Sequence, residues 1–206
     1  MRDHLQEILH ALIDPVVRLF IRLGMTPNVL TVTGALISLV AAAMIVVAGL
    51  RGGADVSLLT WSGIVMLAGS LFDMLDGQVA RLGDMRSTFG ALLDSVTDRY
   101  SEIATLLAIT YFFFAVDAHL WALVAALALL GSVMVSYVRA RAEGLALECK
   151  GGLMQRPERV VVIVVSCIAA GLTGEASVLG WGMALIALLA NATAFWRVAH
   201  CRRQTR

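Results

Sequence analysis

The feature that most constrains the fold is a series of six apolar stretches separated by short polar turns. They cover residues 28–50, 57–76, 88–116, 120–138, 159–172 and 178–198. A helix needs roughly 20 mostly apolar residues to cross a bilayer. Only 15% of the residues are charged, against about 25% in a soluble domain. We therefore predict an all-α integral membrane protein, with one domain over residues 1–206 and a six-helix transmembrane bundle over 28–198.

Residues 1–24 are too polar to span a membrane. Their apolar residues recur near helical spacing with charged residues between them, including Arg18 and Arg22. This pattern predicts an amphipathic helix in the membrane interface, bent near Pro15. A helix packed on the bundle would show the same pattern, and both could hold at once. Thr26 and Pro27 then form a cap and a first helical position, which begins the first span.

The distribution of basic residues predicts the orientation. Of the 16 Lys and Arg residues, only Arg51 falls in a predicted outer turn. Cytoplasmic segments carry the excess of Lys and Arg in membrane proteins. Six spans with this asymmetry place both termini on the cytoplasmic side of the cell (inner) membrane. The net charge of +1 does not indicate a nucleic-acid partner, and Cys149, Cys167 and Cys201 lack metal-ligand spacing.

Four aspartates lie around the connection between the second and third apolar stretches. Asp73 and Asp76 are three residues apart and Asp94 and Asp98 are four apart, so each pair shares one helical face. We expect the two helices to be antiparallel neighbours, which brings four carboxylates into one small volume. Their mutual repulsion is relieved by cations, and oxygen-only ligands suit Mg²⁺, Mn²⁺ or Ca²⁺. The pattern predicts a metal site at the cytoplasmic end, with room for two ions.

Alternatives to this metal site remain open. Single aspartates near the end of a span are often helix caps, or partners of arginines such as Arg81 and Arg99. A carboxylate cluster in a six-span bundle could also serve a cation transporter. Transporter sites usually lie near the middle of the membrane between repeated halves, whereas these acids lie at one end and no repeat is visible. Gly77 and Gly90 flank the acids and allow a ligand or a helix to come close.

The run Asp-x2-Asp-Gly-x2-Ala-Arg-x8-Gly-x3-Asp-x3-Asp extends from Asp73 to Asp98 without a gap. It resembles the signature of the CDP-alcohol phosphotransferases. The resemblance implies six spans with an interfacial helix, a homodimer, and transfer of a phosphatidyl group from a CDP-linked lipid such as CDP-diacylglycerol to a soluble alcohol with release of CMP.

The resemblance also implies roles for single residues. Asp73, Asp76 and Asp94 would hold Mg²⁺ or Mn²⁺, and Asp98 would be both a metal ligand and the general base for the acceptor hydroxyl. The implied donor-binding residues are Asn28, Thr31, Asp73, Gly77 and Arg81.

A second polar set lies at the same predicted depth. It consists of Ser-Tyr-Val-Arg-Ala-Arg-Ala-Glu over residues 136–143, Arg-Pro-Glu-Arg over 156–159, and Arg197. Guanidinium groups suit a phosphate on the acceptor, although arginines also occur at inner helix ends for topological reasons, and Arg141 and Arg159 have Glu143 and Glu158 as nearby partners.

These two runs resemble the family branch that uses inositol phosphate. That resemblance implies that Arg139, Arg156 and Arg197 bind the acceptor phosphate. Glycerol 3-phosphate is the alternative acceptor.

Overall fold

The computed structural model of the chain describes residues 14–53, 55–149 and 151–205. Within these ranges the protein consists of seven helices and contains no strand, which confirms the all-α prediction for them. The first helix, α1, covers residues 14–22. The others are α2 (Pro27–Leu50), α3 (Ser57–Leu82), α4 (Thr88–Ala115), α5 (His119–Glu143), α6 (Arg156–Thr173) and α7 (Ala176–Gln204).

The six longer helices form a closed ring in the order α2, α3, α6, α7, α5, α4, with α4 packing back on α2. Apolar side chains such as Ile45, Phe112, Ile163 and Ile186 form its core. We expected α3 and α4 to pack as neighbours, because a short connection joins them. Along their described length they do not form an extended helix–helix contact, and both pack on α2 instead. The space between their polar ends holds the candidate site.

Four of the described helices, α2, α3, α5 and α7, are long and apolar enough to cross a membrane. This supports a multi-pass membrane protein. α4 and α6 are not among these four helices. Charged residues occupy the first half of α4 and the first turn of α6, which has only 18 residues. The number of six spans therefore stays a prediction.

Several helices extend past the apolar stretches that predicted them. α3 continues beyond Asp76 to Leu82, and the last helix runs on to Gln204. Hydropathy marks only the apolar length of a helix, whereas the backbone hydrogen bonds continue into polar sequence. Pro27 occupies the first turn of α2 as predicted, but the Thr26 side chain makes no capping hydrogen bond.

The N-terminal helix packs on the bundle. Residues 1–13 lie outside the described residues. The predicted bend near Pro15 therefore falls at the start of the described part of the chain. α1 buries Val17 in a small apolar cluster with Leu30 of α2. Leu19 on the same short helix is more than half exposed. α1 therefore packs on the bundle and also exposes an apolar side chain, while its position in the membrane interface stays a prediction.

α2 and α3 pack closely where Gly34 meets Gly69. A Cβ atom on Gly34 would lie 3.0 Å from the Gly69 carbonyl oxygen, and a Cβ on Gly69 would lie 3.0 Å from the Gly34 carbonyl oxygen. Only glycines permit this approach. The contact lies one turn before Asp73 on α3 and one turn after Thr31 on α2, so the two helices are close together where these polar residues begin.

Candidate active site at the polar end of the bundle

Three aspartates form one cluster at the polar end of the bundle. Asp73 and Asp76 come from α3 and Asp94 from α4, and one carboxylate oxygen from each lies within 4.8 Å of the others. Asp76 is buried, and the other two are partly exposed. Three carboxylates at this spacing are a donor set that Mg²⁺ and Mn²⁺ prefer. The chemistry of the cluster therefore fits the predicted divalent ion.

Helix α2 orients one of these ligands. The Thr31 hydroxyl donates to Asp76 Oδ2 at 2.5 Å and also lies 3.0 Å from the Pro27 carbonyl oxygen. Thr31 is itself buried. A buried hydrogen bond to a carboxylate restricts its rotation, so Asp76 keeps one oxygen turned toward Asp73 and Asp94.

The fourth aspartate, Asp98, joins the cluster through an arginine. Arg156 from α6 places Nη1 at 2.7 Å from Asp73 Oδ2 and Nη2 at 2.7 Å from Asp98 Oδ1. Asp98 is 9% exposed. Arg156 Nε is buried and has no hydrogen-bond partner among the described residues. One guanidinium group therefore bridges an acid of α3 and an acid of α4.

A cavity of about 260 Å³ lies beside the cluster. Gly77 forms part of its wall, and a Cβ atom there would meet nothing within 4 Å. Gly90 differs, because a Cβ atom on it would lie 3.0 Å from Ser87 Oγ and 3.1 Å from Asn28 Oδ1, so these two side chains would have to shift. The polar and glycine lining comprises Asn28, Thr31, Asp76, Gly77, Arg86, Ser87, Gly90 and Asp94.

Arg81 is one of the residues for which the family resemblance implies binding of the CDP-linked lipid. Its side chain is exposed, and its Nε donates a hydrogen bond to the Gly77 carbonyl oxygen at 3.2 Å. Arg86, in the connection between α3 and α4, lines the cavity instead.

A narrower space of about 30 Å³ continues inward from Asp73, Asp98 and Arg156. Its wall carries hydroxyl groups, of which Ser38, Ser70, Thr97 and Thr105 donate to carbonyl oxygens of their own helices. This volume suits roughly one or two water molecules rather than a substrate.

The other two arginines of the predicted acceptor site make no direct contact with the aspartates. Arg139 is exposed, and its Nε pairs with Glu143 Oε1 at 2.9 Å. Arg197 is 2% exposed. It donates to the Gly151 carbonyl oxygen at 2.9 Å and to the Val135 carbonyl oxygen at 2.6 Å. Arg197 of α7 thus links α5 to the connection between α5 and α6.

The Cys149 thiol lies near both of these arginines. Burial and the neighbouring Cys201 thiol raise the pKa of Cys149, while the positive charges of Arg197 and Arg139 oppose that rise. Both guanidinium groups therefore act on the same part of the connection between α5 and α6. Cys149 and Cys167 are buried free thiols, and a buried free cysteine packs as a small apolar side chain.

Comparison with known proteins identifies the family. The model of the CDP-alcohol phosphatidyltransferase family matches residues 24–199, which include the aspartate cluster and all the helices from α2 onward except the last residues of α7. This chain belongs to that family. The predicted family and the predicted class of enzyme, a transferase, are thereby confirmed.

Its relatives include enzymes that are named for the synthesis of lipids with an inositol phosphate headgroup. The phosphatidylinositol phosphate synthase of Corynebacterium glutamicum is 37% identical over 183 residues, which cover 87% of this chain and 78% of the relative. The archaetidylinositol phosphate synthase of Methanothermobacter thermautotrophicus is 36% identical over 170 residues, or 82% and 78% of the two chains.

Solved structures agree with the fold of this family member. The phosphatidylinositol phosphate synthase of Mycobacterium tuberculosis in complex with manganese and citrate superposes with a TM-score of 0.81 at 28% identity, covering 91% of this chain and 88% of that one. The same enzyme with CDP-DAG bound superposes with a TM-score of 0.80 at 29% identity, covering 91% and 92%.

Two charged residues of this phosphatidyltransferase were not singled out as site residues from the sequence. Glu102 and Arg159 form a buried ion pair directly behind Asp98 and Arg156. Glu158, the nearby partner that the sequence offers to Arg159, is exposed, and Glu143 pairs with Arg139 rather than with Arg141. A signal existed, because Asp94, Asp98 and Glu102 repeat every four residues on α4 and therefore share one face.

Proposed function

We propose that this chain transfers the phosphatidyl group of CDP-diacylglycerol to the hydroxyl group of an inositol phosphate and releases CMP. The observation that carries the proposal is the placement of Arg156 between the carboxylates of Asp73 and Asp98. A guanidinium group, which suits a phosphate, thus lies against the aspartates that would hold the cation. The names of the relatives from Corynebacterium and Methanothermobacter support inositol phosphate as the acceptor.

The donor end of the site would be the cavity beside Gly77. Asp73, Asp76 and Asp94 would hold Mg²⁺ or Mn²⁺, with Asp98 as a further ligand and two ions in all. Bound metal would neutralise the pyrophosphate and stabilise the charge that develops on CMP. Asn28 and Thr31 line the same cavity, and the open space at Gly77 leaves room for the nucleotide. Arg81 would turn from the Gly77 carbonyl group to the pyrophosphate.

Asp98 would serve as the general base. It accepts the proton of the acceptor hydroxyl group while the hydroxyl oxygen attacks the phosphorus atom that bears diacylglycerol. The bond from that phosphorus to the bridging oxygen of the CMP phosphate breaks, and CMP leaves with the electron pair. The narrow hydroxyl-lined space behind Asp98 has room for the water that could receive this proton.

The acceptor phosphate would bind on the side of the site formed by α5, α6 and α7. Arg139, Arg156 and Arg197 supply its positive charge, and Arg156 Nε is a buried donor still without a partner among the described residues. Arg156 would exchange one carboxylate for the phosphate. Arg197, held by two carbonyl oxygens, would mainly shape the connection that faces this phosphate.

In the membrane, we propose that all six ring helices span the bilayer as one domain over residues 1–206. The polar end of the ring and both termini would face the cytoplasm of the inner membrane, where a soluble acceptor meets a lipid donor. The concentration of Lys and Arg at that end supports this orientation. Surrounding lipid and a second copy in a homodimer would cover the apolar side chains that the isolated chain exposes.

The direct test uses purified protein in detergent with Mg²⁺ or Mn²⁺ and CDP-diacylglycerol. Inositol phosphate, glycerol 3-phosphate, inositol and serine are offered in turn, and CMP release and the lipid product are measured. We expect inositol phosphate to give the highest kcat/KM. A preference for glycerol 3-phosphate would identify the chain as a phosphatidylglycerophosphate synthase. If none of these acceptors gives metal-dependent CMP release, the result would count against the proposal.

A further inference from the structure

Behind the reacting groups lies an ion pair that is almost completely removed from solvent. Arg159 of α6 is 1% exposed, and the side chain of Glu102 on α4 is 5% exposed. Arg159 Nε donates to Glu102 Oε1 at 2.5 Å and Nη2 donates to Oε2 at 3.0 Å. Arg159 Nη1 donates to the Met154 carbonyl oxygen at 3.0 Å. Every nitrogen of this guanidinium group therefore has a partner.

The ion pair of Arg159 with Glu102 lies one helical turn further into the bundle than the ion pair of Arg156 with Asp98. Glu102 follows Asp98 by four residues on α4, and Arg159 follows Arg156 by three residues on α6. The two helices are not neighbours in the ring. The two ion pairs therefore form parallel links across the ring between α4 and α6. The inner link is buried, whereas the outer link at Arg156 is partly open to solvent.

Arg159 also fixes the chain segment that leads into α6. The Met154 carbonyl oxygen accepts from Arg159, and the Met154 backbone N–H donates to Thr193 Oγ1 at 3.2 Å. Three residues earlier, the Gly151 carbonyl oxygen accepts from Arg197 at 2.9 Å. Two buried arginines thus hold residues 151–155, and Arg156 is the next residue. Its position depends directly on these contacts.

Stability alone does not account for charges at these two positions. The attraction within a buried ion pair is largely offset by the cost of removing both charges from water, and apolar side chains of similar size are often at least as stabilising. An ion pair differs from an apolar pair mainly in its directional, two-point geometry. That geometry sets the rotation of α6 relative to α4, and the rotation sets where Arg156 points.

We propose that Glu102 and Arg159 are positioning residues for the acceptor, which hold Arg156 at the place where it meets the acceptor phosphate. This inference rests on the proposed function, because it assigns Arg156 to the acceptor side of the same reaction. It adds two residues that do not touch substrate and that act only through Arg156 and residues 151–155.

The main experiment is the double variant Glu102→Met/Arg159→Met, which replaces the ion pair by apolar side chains of similar length. We expect its unfolding temperature to stay close to the wild-type value. The KM for inositol phosphate should rise at least tenfold, while the KM for CDP-diacylglycerol changes less than twofold. A folded double variant with both KM values unchanged, or with both raised equally, would overturn the inference.

A second variant covers the case in which the double variant does not fold. Arg159→Lys keeps the positive charge but loses the two-point contact with Glu102, and it should give the same selective rise in the KM for inositol phosphate. The matched control is Arg51→Gln/Asp55→Asn, which removes an exposed ion pair from the connection between α2 and α3 and should leave both KM values unchanged.

Direct binding separates this inference from the proposed function. Calorimetric titration of inositol phosphate into the metal-free protein does not require turnover, and we expect weaker binding to Arg159→Lys than to the wild-type protein. If the wild-type protein turns over no acceptor, the proposed function fails while this titration still tests the positioning role. If the wild-type protein is active and both titrations give the same affinity, the positioning role alone fails.

Discussion

The charges of the candidate site centre on one residue. Arg156 lies 2.7 Å from one oxygen of Asp73 and 2.7 Å from one oxygen of Asp98. The same guanidinium group neutralises part of the charge that a divalent cation would otherwise neutralise. A metal ion at Asp73 must therefore compete with Arg156 or approach its positive charge closely, and both effects weaken metal binding.

Replacement of this arginine should consequently strengthen metal binding. We expect Arg156→Gln to lower the Kd for Mn²⁺ by about tenfold or more, which corresponds to about 1.4 kcal/mol, because the competitor and its charge are both removed. Electron paramagnetic resonance of free Mn²⁺ in a titration without substrates measures this directly. Arg141→Gln, an exposed change in the last turn of α5, is the control for loss of one positive charge. Unchanged or weaker Mn²⁺ binding to Arg156→Gln would contradict the prediction.

Asp98 is expected to affect catalysis more than donor binding. Asparagine keeps the size of Asp98 but cannot accept the acceptor proton, so Asp98→Asn should reduce kcat by about 10²–10⁴-fold. Its affinity for CDP-diacylglycerol should change little, because Asp98 does not line the cavity beside Gly77. CMP release and equilibrium binding of the donor are measured on the same preparation, with the exposed change Asp84→Asn as control. Wild-type turnover in Asp98→Asn would exclude Asp98 as the base.

Single-residue contacts differ in how far the sequence could predict them. The helical spacing of the aspartates predicts which of them share a face, and the structure brings Asp73, Asp76 and Asp94 together. The contact between Arg156 and Asp73 joins residues that are 83 positions apart. No periodicity predicts such a contact, because it depends on which helices end at the same place in the ring.

At the scale of helices, the packing of α2 on α3 controls the shape of the site. The two helices approach closely at Gly34 and Gly69, and Thr31 then reaches Asp76 at 2.5 Å. α4 packs on α2 as well. Helix α2 is therefore the common support from which the acids of α3 and the acids of α4 are held at a fixed spacing.

A methyl group at this contact should separate the two helices. In Gly69→Ala the new Cβ would lie 2.7 Å from Ser38 Oγ and 3.0 Å from the Gly34 carbonyl oxygen. We expect the free energy of unfolding to fall by about 1–3 kcal/mol and the kcat/KM to fall as Thr31 moves away from Asp76. Thermal unfolding in detergent and CMP release measure the two effects.

The control for this change is Gly144→Ala. Its Cβ would lie 3.5 Å from the Ala140 carbonyl oxygen, an ordinary contact, so the protein should keep wild-type stability and activity. Wild-type stability together with full activity in Gly69→Ala would show that the α2–α3 contact does not determine the geometry of the site.

The existence of each helix could be predicted from the sequence, but the neighbours of each helix could not. Apolar stretches mark α2 and α5 clearly, whereas the short connection between α3 and α4 suggested a packed pair that the structure does not contain. The two helices lie apart along most of their length because each packs on α2 instead. Local sequence contains no information on that spacing.

At the scale of the whole molecule, the ring divides into an apolar length and one polar end. The aspartate cluster, the buried pair of Glu102 with Arg159, and most of the basic residues belong to that end. The connections at the opposite end are short and contain few charges, among them Arg51, Asp55 and Asp117. The candidate site and most of the charges are therefore concentrated at one end of the bundle.

The orientation can be tested with single cysteines. The three native cysteines are replaced by serine or alanine, and His119→Cys is introduced at the start of α5, where the side chain is 65% exposed. A second protein carries Arg202→Cys, an exposed position in the last turn of α7.

A membrane-impermeant maleimide added to intact cells, or to spheroplasts where an outer envelope blocks the reagent, should label His119→Cys. Arg202→Cys should react only after the membrane is permeabilised, because its turn belongs to the polar end. Labelling of Arg202→Cys from outside would contradict the proposed orientation, because the aspartates would then face away from the cytoplasm. Equal labelling of both cysteines before permeabilisation would show that the two positions do not lie at opposite ends of a spanning bundle.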